Sequence, residues 1–243
     1  MGDEQVEKMA LLSAQIEALR KKFDGQVHTT EEREAQISEM LRVQLDLEDQ
    51  LKKAKANQAK ADRGREKALK EAGRVGDSIA AWDGSDENFR SVPSDGEYSV
   101  RDDATYVHYT SNNTLFGTQF HHLPYSGGKP RVVDASSDIC GVPIDISEHD
   151  LIYAGAQKNL GSSGVTLVIL SPWALSRCHD GLPTMLDYRT HVSKGSMFNT
   201  PNTFGIFVLD RVFAWIERNG GLEGAIERNR AKAALLYLSL IHI

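Results

Sequence analysis

Lys158 stands at the mouth of a loop of small residues, Gly155, Ala156, Gly161, Ser162, Ser163 and Gly164. Apolar runs of strand length flank that loop, Leu151–Ala154 before it and Val165–Leu170 after it. Small residues leave space beside the backbone, which is where a ligand can come close. A lysine at the end of a buried strand, facing such a space, loses hydration; this favours the neutral amine, which is a nucleophile. Taken alone, a solvated loop lysine is the more ordinary reading, since the residue type is mostly exposed. Its company changes the balance. Thr114 follows the apolar segment Thr105–Tyr109, Asp134 ends the segment Arg131–Asp134, and Lys158 follows the third segment. In parallel α/β sheets, ligands bind beyond these carboxyl ends. A fourth candidate is Gly195–Pro201, where Asn199 and Thr200 precede a proline, the signature of a capped helix start. The unpaired amides and dipole at such a start suit a phosphate, although ordinary capping accounts for the same residues.

These groups need a scaffold, and the sequence supplies two kinds. With 243 residues the chain can hold one or two domains, and its net charge of −6 gives no reason to expect nucleic acid as a partner. No signal peptide is recognisable, and no apolar run approaches the ~20 residues that span a membrane. Two cysteines, Cys140 and Cys178, suit a reducing cytosol better than a disulfide framework. Residues 1–61 contain no Trp, Tyr or Pro. Their apolar residues recur in steps of three and four, Met9, Leu12, Ile16, Leu19, Phe23 and then Ile37, Met40, Leu47, Leu51, Ala54, a coiled-coil seam. Asp24-Gly25 interrupts it, and Thr29 with Glu32 forms a capping box, so two helices are expected, with an oligomerisation or partner role or none. From Lys67 onward the pattern turns to α/β. A helix ends at Gly73, four apolar strands follow, and a largely apolar helix carries Ile206, Leu209, Phe213 and Ile216 with Phe204, Val208, Val212 and Trp215 alongside. Such a helix is expected to be buried against a sheet or a second subunit. Asn219-Gly220-Gly221 ends it, and Leu222–Tyr237 reads as one helix more.

A reactive lysine, a strand-end carboxylate and a phosphate-receptive helix start are the parts that a pyridoxal phosphate site requires. The motifs Tyr106–Thr114, Val133–Ser137, Ile152–Gly161 and Gly195–Thr203 also resemble those of the phosphoserine aminotransferases, of the class V aminotransferases. The resemblance runs from about Lys67 to Tyr237 and rests chiefly on Tyr-Ala-Gly-Ala-Gln-Lys-Asn and Gly-Ser-Met-Phe-Asn-Thr-Pro. It implies a three-layer α/β fold of the aspartate aminotransferase type (fold type I), present as a large-domain fragment over residues 62–237 and preceded by the all-α coiled-coil-like segment 1–61. Lys158 is similar to the family's Schiff-base lysine and Asp134 to the partner of the pyridinium nitrogen. Thr114 and Gln157 resemble residues that contact the cofactor. Asn199 and Thr200 resemble the pair that reaches the cofactor phosphate of a neighbouring subunit, which implies a cytoplasmic homodimer with shared sites. The implied reaction moves an amino group from glutamate to 3-phosphohydroxypyruvate, giving phosphoserine and 2-oxoglutarate.

Members of the family carry, before the matching region, a Ser-His-Arg substrate motif, a glycine-rich phosphate turn and an aromatic that stacks on the cofactor. Here residues 1–61 stand in that place, and weak or absent turnover of the isolated chain is expected. Leu238–Ile243 is what CTGTCTCTTATACACATC encodes, the end of a transposon used in sequencing libraries, so this tail is expected to derive from adapter sequence. Two alternatives keep the same residues: a helical interaction protein on a degenerate scaffold, or a class V enzyme with another substrate.

Overall fold

A computed structural model of the chain describes residues 30–87 and 89–241. The chain divides between Val92 and Pro93 into two compact units. In the first, helix α1 spans Thr30–Ala72, 43 residues and about 65 Å at the α-helical rise. It ends at Gly73, whose amide donates to the Leu69 carbonyl at 2.8 Å. A Cβ on Gly73 would lie only 3.2 Å from that same carbonyl oxygen. The helix continues without interruption through residue 61, the expected end of the helical segment. The earlier run Met9–Phe23 and the Asp24-Gly25 break lie outside the described residues. Leu41, Val43 and Leu45 on α1 are exposed.

The second unit is built on a four-stranded sheet of β1 (Val107–Thr110), β2 (Arg131–Asp134), β3 (Leu151–Gly155) and β4 (Thr166–Leu170), in that spatial order. The first three strands are parallel, with Tyr109 beside Val133 and Val133 beside Ile152. β4 is antiparallel to β3, placing Gly155 opposite Thr166 and Leu151 opposite Leu170. This departs from a uniformly parallel set, and chain length explains it. Only ten residues separate β3 from β4, whereas a parallel crossover needs about a dozen or more. The ends of β1, β2 and β3 therefore share one edge with the loop that carries Lys158.

Alternation along β3 buries Ile152 and Ala154 while their neighbours remain half-exposed. They join Val133, Ala135, Ile139, Ala156 and Leu160 in the core, and Leu209 and Phe213 of α4 (Thr203–Arg218) pack against that cluster. Short helices α2 (Pro172–Ser176) and α3 (Tyr188–Ser193) precede α4, and α5 (Gly221–Ile241) follows it, running past Tyr237. The burial expected for α4 holds on one face only. Gly205 and Ile216 are buried, whereas Phe204, Phe207 and Trp215 are exposed. Among the described residues, no helix is long and apolar enough to cross a membrane.

Candidate active site

Three loops leaving the parallel strands converge on the Lys158 ammonium. Nζ donates to Ser137 Oγ at 2.6 Å and to Thr114 Oγ1, and the two hydroxyls are themselves 2.8 Å apart. Thr114 comes from the loop after β1, Ser137 from the turn after β2 and Lys158 from the turn after β3, so strand register places all three. Lys158 is exposed, in contrast to the solvent-poor setting expected for it. The backbone beneath it is tightly held. Ala156, just before Gln157, and Leu160, two residues after Lys158, are buried, and Asn159 Nδ2 donates to the Ile139 carbonyl at 3.0 Å. The anchor is rigid and the amine is free to meet a ligand.

Asp134 ends β2 beside this group. Its Oδ1 accepts from the Ser136 amide at 2.9 Å, the turn that then delivers Ser137 to Lys158. Ser136 Oγ accepts from the Gly155 amide at 3.0 Å and so ties the end of β2 to the end of β3. The Tyr153 hydroxyl lies 3.0 Å from His108 Nε2, and both groups are near enough to Asp134 to feel its charge. Burial, reinforced by the Asp134 charge, pushes the Tyr153 phenol up to about 12, so it remains a donor at neutral pH. Partial loss of hydration lowers the pKa of His108, against the opposing pull of the Asp134 charge. Among the described residues the carboxylate is held by the Ser136 amide and is in no ion pair.

Gly155 is a close-approach position: a Cβ there would stand 2.5 Å from Gln157 Oε1. The absent side chain is what lets the Gln157 amide fold back over the strand end, next to Lys158. Asn199 and Thr200 do not join the Lys158 group through any hydrogen bond among the described residues. Both are exposed, and Asn199 Nδ2 contacts Met185 Sδ at 3.3 Å. Nor do they cap α4, as the Asn-Thr-Pro signature suggests. Asn202 does so, accepting from the Gly205 amide at 3.0 Å while its Nδ2 reaches the Ser163 carbonyl at 3.4 Å. Gly164, at φ +88°, and Gly205 admit that side chain, for a Cβ on either would lie within 2.9 Å of Asn202 Nδ2. Pro201 accordingly stands outside the helix, and the capping account of Asn199 and Thr200 falls away.

Sequence pattern alone does not single out Ser137, Tyr153 and His108. The small polar run Ala135-Ser136-Ser137 was the one available signal for the first, and none marks the other two. A cleft of about 680 Å³ lies elsewhere, lined by Tyr109, Phe120, His122, Asp138, His149 and Asn229 among others, and includes none of the Lys158 group. Its buried Asp138 is already satisfied by Ser111 Oγ at 2.5 Å and Gln119 Nε2 at 3.0 Å.

A mixed α/β sheet presenting a lysine, a carboxylate and hydroxyls at its carboxyl edge defines a group-transfer scaffold of the aminotransferase kind. The comparisons are specific. The profile of the family Aminotransferase class-V matches residues 75–243, and the chain belongs to that family. Phosphoserine aminotransferase of Geobacillus kaustophilus (strain HTA426) is 50% identical over 172 residues, which cover 71% of this chain and 48% of that protein. The solved phosphoserine aminotransferase from Bacillus circulans subsp. alkalophilus superposes with a TM-score of 0.67 at 46% identity, covering 71% of this chain and 48% of that one. A PLP-bound phosphoserine aminotransferase from Trichomonas vaginalis gives 0.58 at 35% identity, covering 61% and 41%. The α/β unit therefore has the fold of the pyridoxal phosphate-dependent aminotransferases, as a fragment. The chain spans about half the length of the curated relatives it matches.

Proposed function

We propose that this chain carries the cofactor-anchoring part of a phosphoserine transaminase. In this reading an amino group passes from L-glutamate to 3-phosphohydroxypyruvate, giving O-phospho-L-serine and 2-oxoglutarate for serine synthesis in the cytoplasm. The observation that carries it is the convergence of Thr114 and Ser137 on Lys158 Nζ, one residue beyond Gln157 and beside Asp134. The donor set fits pyridoxal phosphate: a primary amine for the aldehyde, a carboxylate for the ring nitrogen, and hydroxyls to orient the amine. Bound there, the cofactor supplies an electron sink for the amino-bearing carbon of the substrate.

The protein groups do the rest. Asp134, locked by the Ser136 amide, holds a proton at the ring nitrogen. Lys158 Nζ, steered by Thr114 and Ser137, would be the base that carries the 1,3-proton shift, taking the proton from the amino-bearing carbon and redelivering it two atoms away across the nitrogen. Asn199 and Thr200, exposed and unused as caps, serve the cofactor phosphate of a second subunit, so that the active unit is a homodimer with shared sites. Residues 62–237 carry the transaminase portion, residues 1–61 the helical segment that α1 joins to it without a break, and residues 238–243 a tail of adapter origin.

The test is an absorbance spectrum of the full chain with pyridoxal phosphate, beside Lys158→Ala. A band near ~420 nm that borohydride fixes covalently in the Lys158 protein alone is the expected result. A folded chain with no band, or a band equally fixed in Lys158→Ala, would overturn the assignment.

A further inference from the structure

Helix α1 carries its charge in two blocks. Residues 30–50 contain seven acidic and two basic residues, net −5; residues 51–72 contain eight basic and three acidic residues, net +5. The sign changes at the middle of the helix. A lone helix gains from acids at its start and bases at its end, but that effect fades within the first and last turns. Asp46, Glu48 and Asp49 on one side of the change, and Lys52, Lys53 and Lys55 on the other, lie about four turns or more from either end. Within the blocks, like charges also recur three or four apart: Glu31 and Glu34, Lys52 and Lys55, Arg63 and Lys67, Lys67 and Lys70. On an isolated helix such pairs are destabilising. Lys53 is paired with Asp49, at 2.6 Å, across the junction of the blocks.

From this pattern we infer that α1 pairs side by side with α1 of a second copy, in antiparallel orientation. That arrangement lays each −5 half along the +5 half of the partner, whereas parallel pairing sets like against like over the full length. Residue size supports the same orientation. Large apolar residues, Ile37, Met40, Leu41, Val43, Leu45 and Leu47, concentrate in the acidic half, and Ala54, Ala56, Ala59, Ala61, Ala68 and Ala72 populate the basic half. On the seam Ile37, Met40, Leu47, Leu51, Ala54, antiparallel pairing about the sign change sets Leu47 of one copy against Ala54 of the other, large against small. The inference concerns the first unit and does not rest on the transaminase assignment.

The test uses the full chain with a spin label at Ser38→Cys, in a Cys140→Ser, Cys178→Ser background checked by circular dichroism. Antiparallel pairing puts the two labels about 30–45 Å apart, and parallel pairing puts them within about 20 Å. A second arm leaves the cysteines intact. Lys52, Lys53, Lys55 and Lys60→Glu makes both halves negative; Glu31, Glu32, Glu34 and Glu39→Lys makes both positive. Sedimentation is expected to show each variant losing an association step of the wild type, its dissociation constant weakened at least ~10-fold, and mixing the two restoring it. That step also weakens as salt rises. Labels within about 20 Å, absence of any inter-label distance, or charge-reversed variants that associate like the wild type would each overturn the proposal.

Discussion

Two leucines show how differently the two units are built. Leu160, beside the Lys158 turn, is 0% exposed, whereas Leu45 in the middle of α1 is 66% exposed. Around Leu160 the chain is dense with small residues, Ala135, Ala154, Ala156 and Gly161, which let strand ends and α4 close on one another. Around Leu45 it is dense with charge. The sheet unit draws together residues distant in sequence, Thr114, Ser137 and Lys158, and therefore can hold a catalytic geometry. Along α1 the side-chain pairs join residues four apart, Gln44 with Glu48, Gln50 with Asp46 and Lys53 with Asp49, and the helix therefore can hold a charge pattern. Chemistry that needs three groups within hydrogen-bonding distance belongs in the first kind of unit; recognition by an extended surface belongs in the second.

The largest effect expected from this contrast is on Leu160. Truncating a fully buried leucine removes its transfer free energy and leaves a cavity, so Leu160→Ala should cost about 2–5 kcal/mol. Urea unfolding followed through Trp173 and Trp215 would measure it. A loss below about 1 kcal/mol would show that the turn under Lys158 is not a packed anchor. A second effect comes from two half-buried phenols. Burial pushes Tyr109 and Tyr153 up to about 12, Tyr153 with added help from Asp134. In the unfolded chain tyrosines ionise near ~10. Between these values the unfolded state has released protons that the folded state keeps, so stability falls as pH rises from about 10 to about 12. Unfolding midpoints across that window should decline less steeply in Tyr153→Phe, and equal slopes would contradict the burial of that hydroxyl.

A smaller effect tests where α4 begins. Asn202→Ala removes the cap on the Gly205 amide and should cost about 1 kcal/mol, whereas Asn199→Ala should leave stability within about 0.5 kcal/mol. Equal losses would return Asn199 to the capping role that its sequence suggests.

Local rules reached some elements and not others. Arg131–Asp134 was legible to the residue, because Pro130 precedes it and Ala-Ser-Ser follows. The end of α1 was legible from Gly73. The sequence pattern starts the first strand at Thr105, two residues before its actual start at Val107, since alternation is weak where Thr and Tyr serve either state equally. The start of α4 was misplaced because Asn199-Thr200-Pro201 obeys every local capping rule, while the decision in favour of Asn202 is made by Ser163 and Gly164, far away in sequence. Likewise Lys158, Asp134 and Thr114 were legible as strand-end groups. Ser137 as a partner of Lys158, and Tyr153 with His108 beside Asp134, depend on strand register, which no residue spacing reveals.

The smallest expected effect distinguishes a paired α1 from a lone one. Leu45 and Leu47 are adjacent leucines on the same helix, separated by one residue, and a solitary helix should treat them alike. Leu45 is strongly exposed and stands off the seam, whereas Leu47 is half-buried and lies on it. Leu45→Ala should therefore change stability and association by less than about 0.5 kcal/mol, since alanine also has the higher helix propensity. Leu47→Ala should leave the helicity of a dilute sample unchanged but weaken association, because it deletes a knob from the seam without altering either charge block. Sedimentation of the two variants at matched concentrations makes the comparison. If both associate like the wild type, charge alone guides α1, and if both weaken equally, the apolar contact covers more of the helix than one seam.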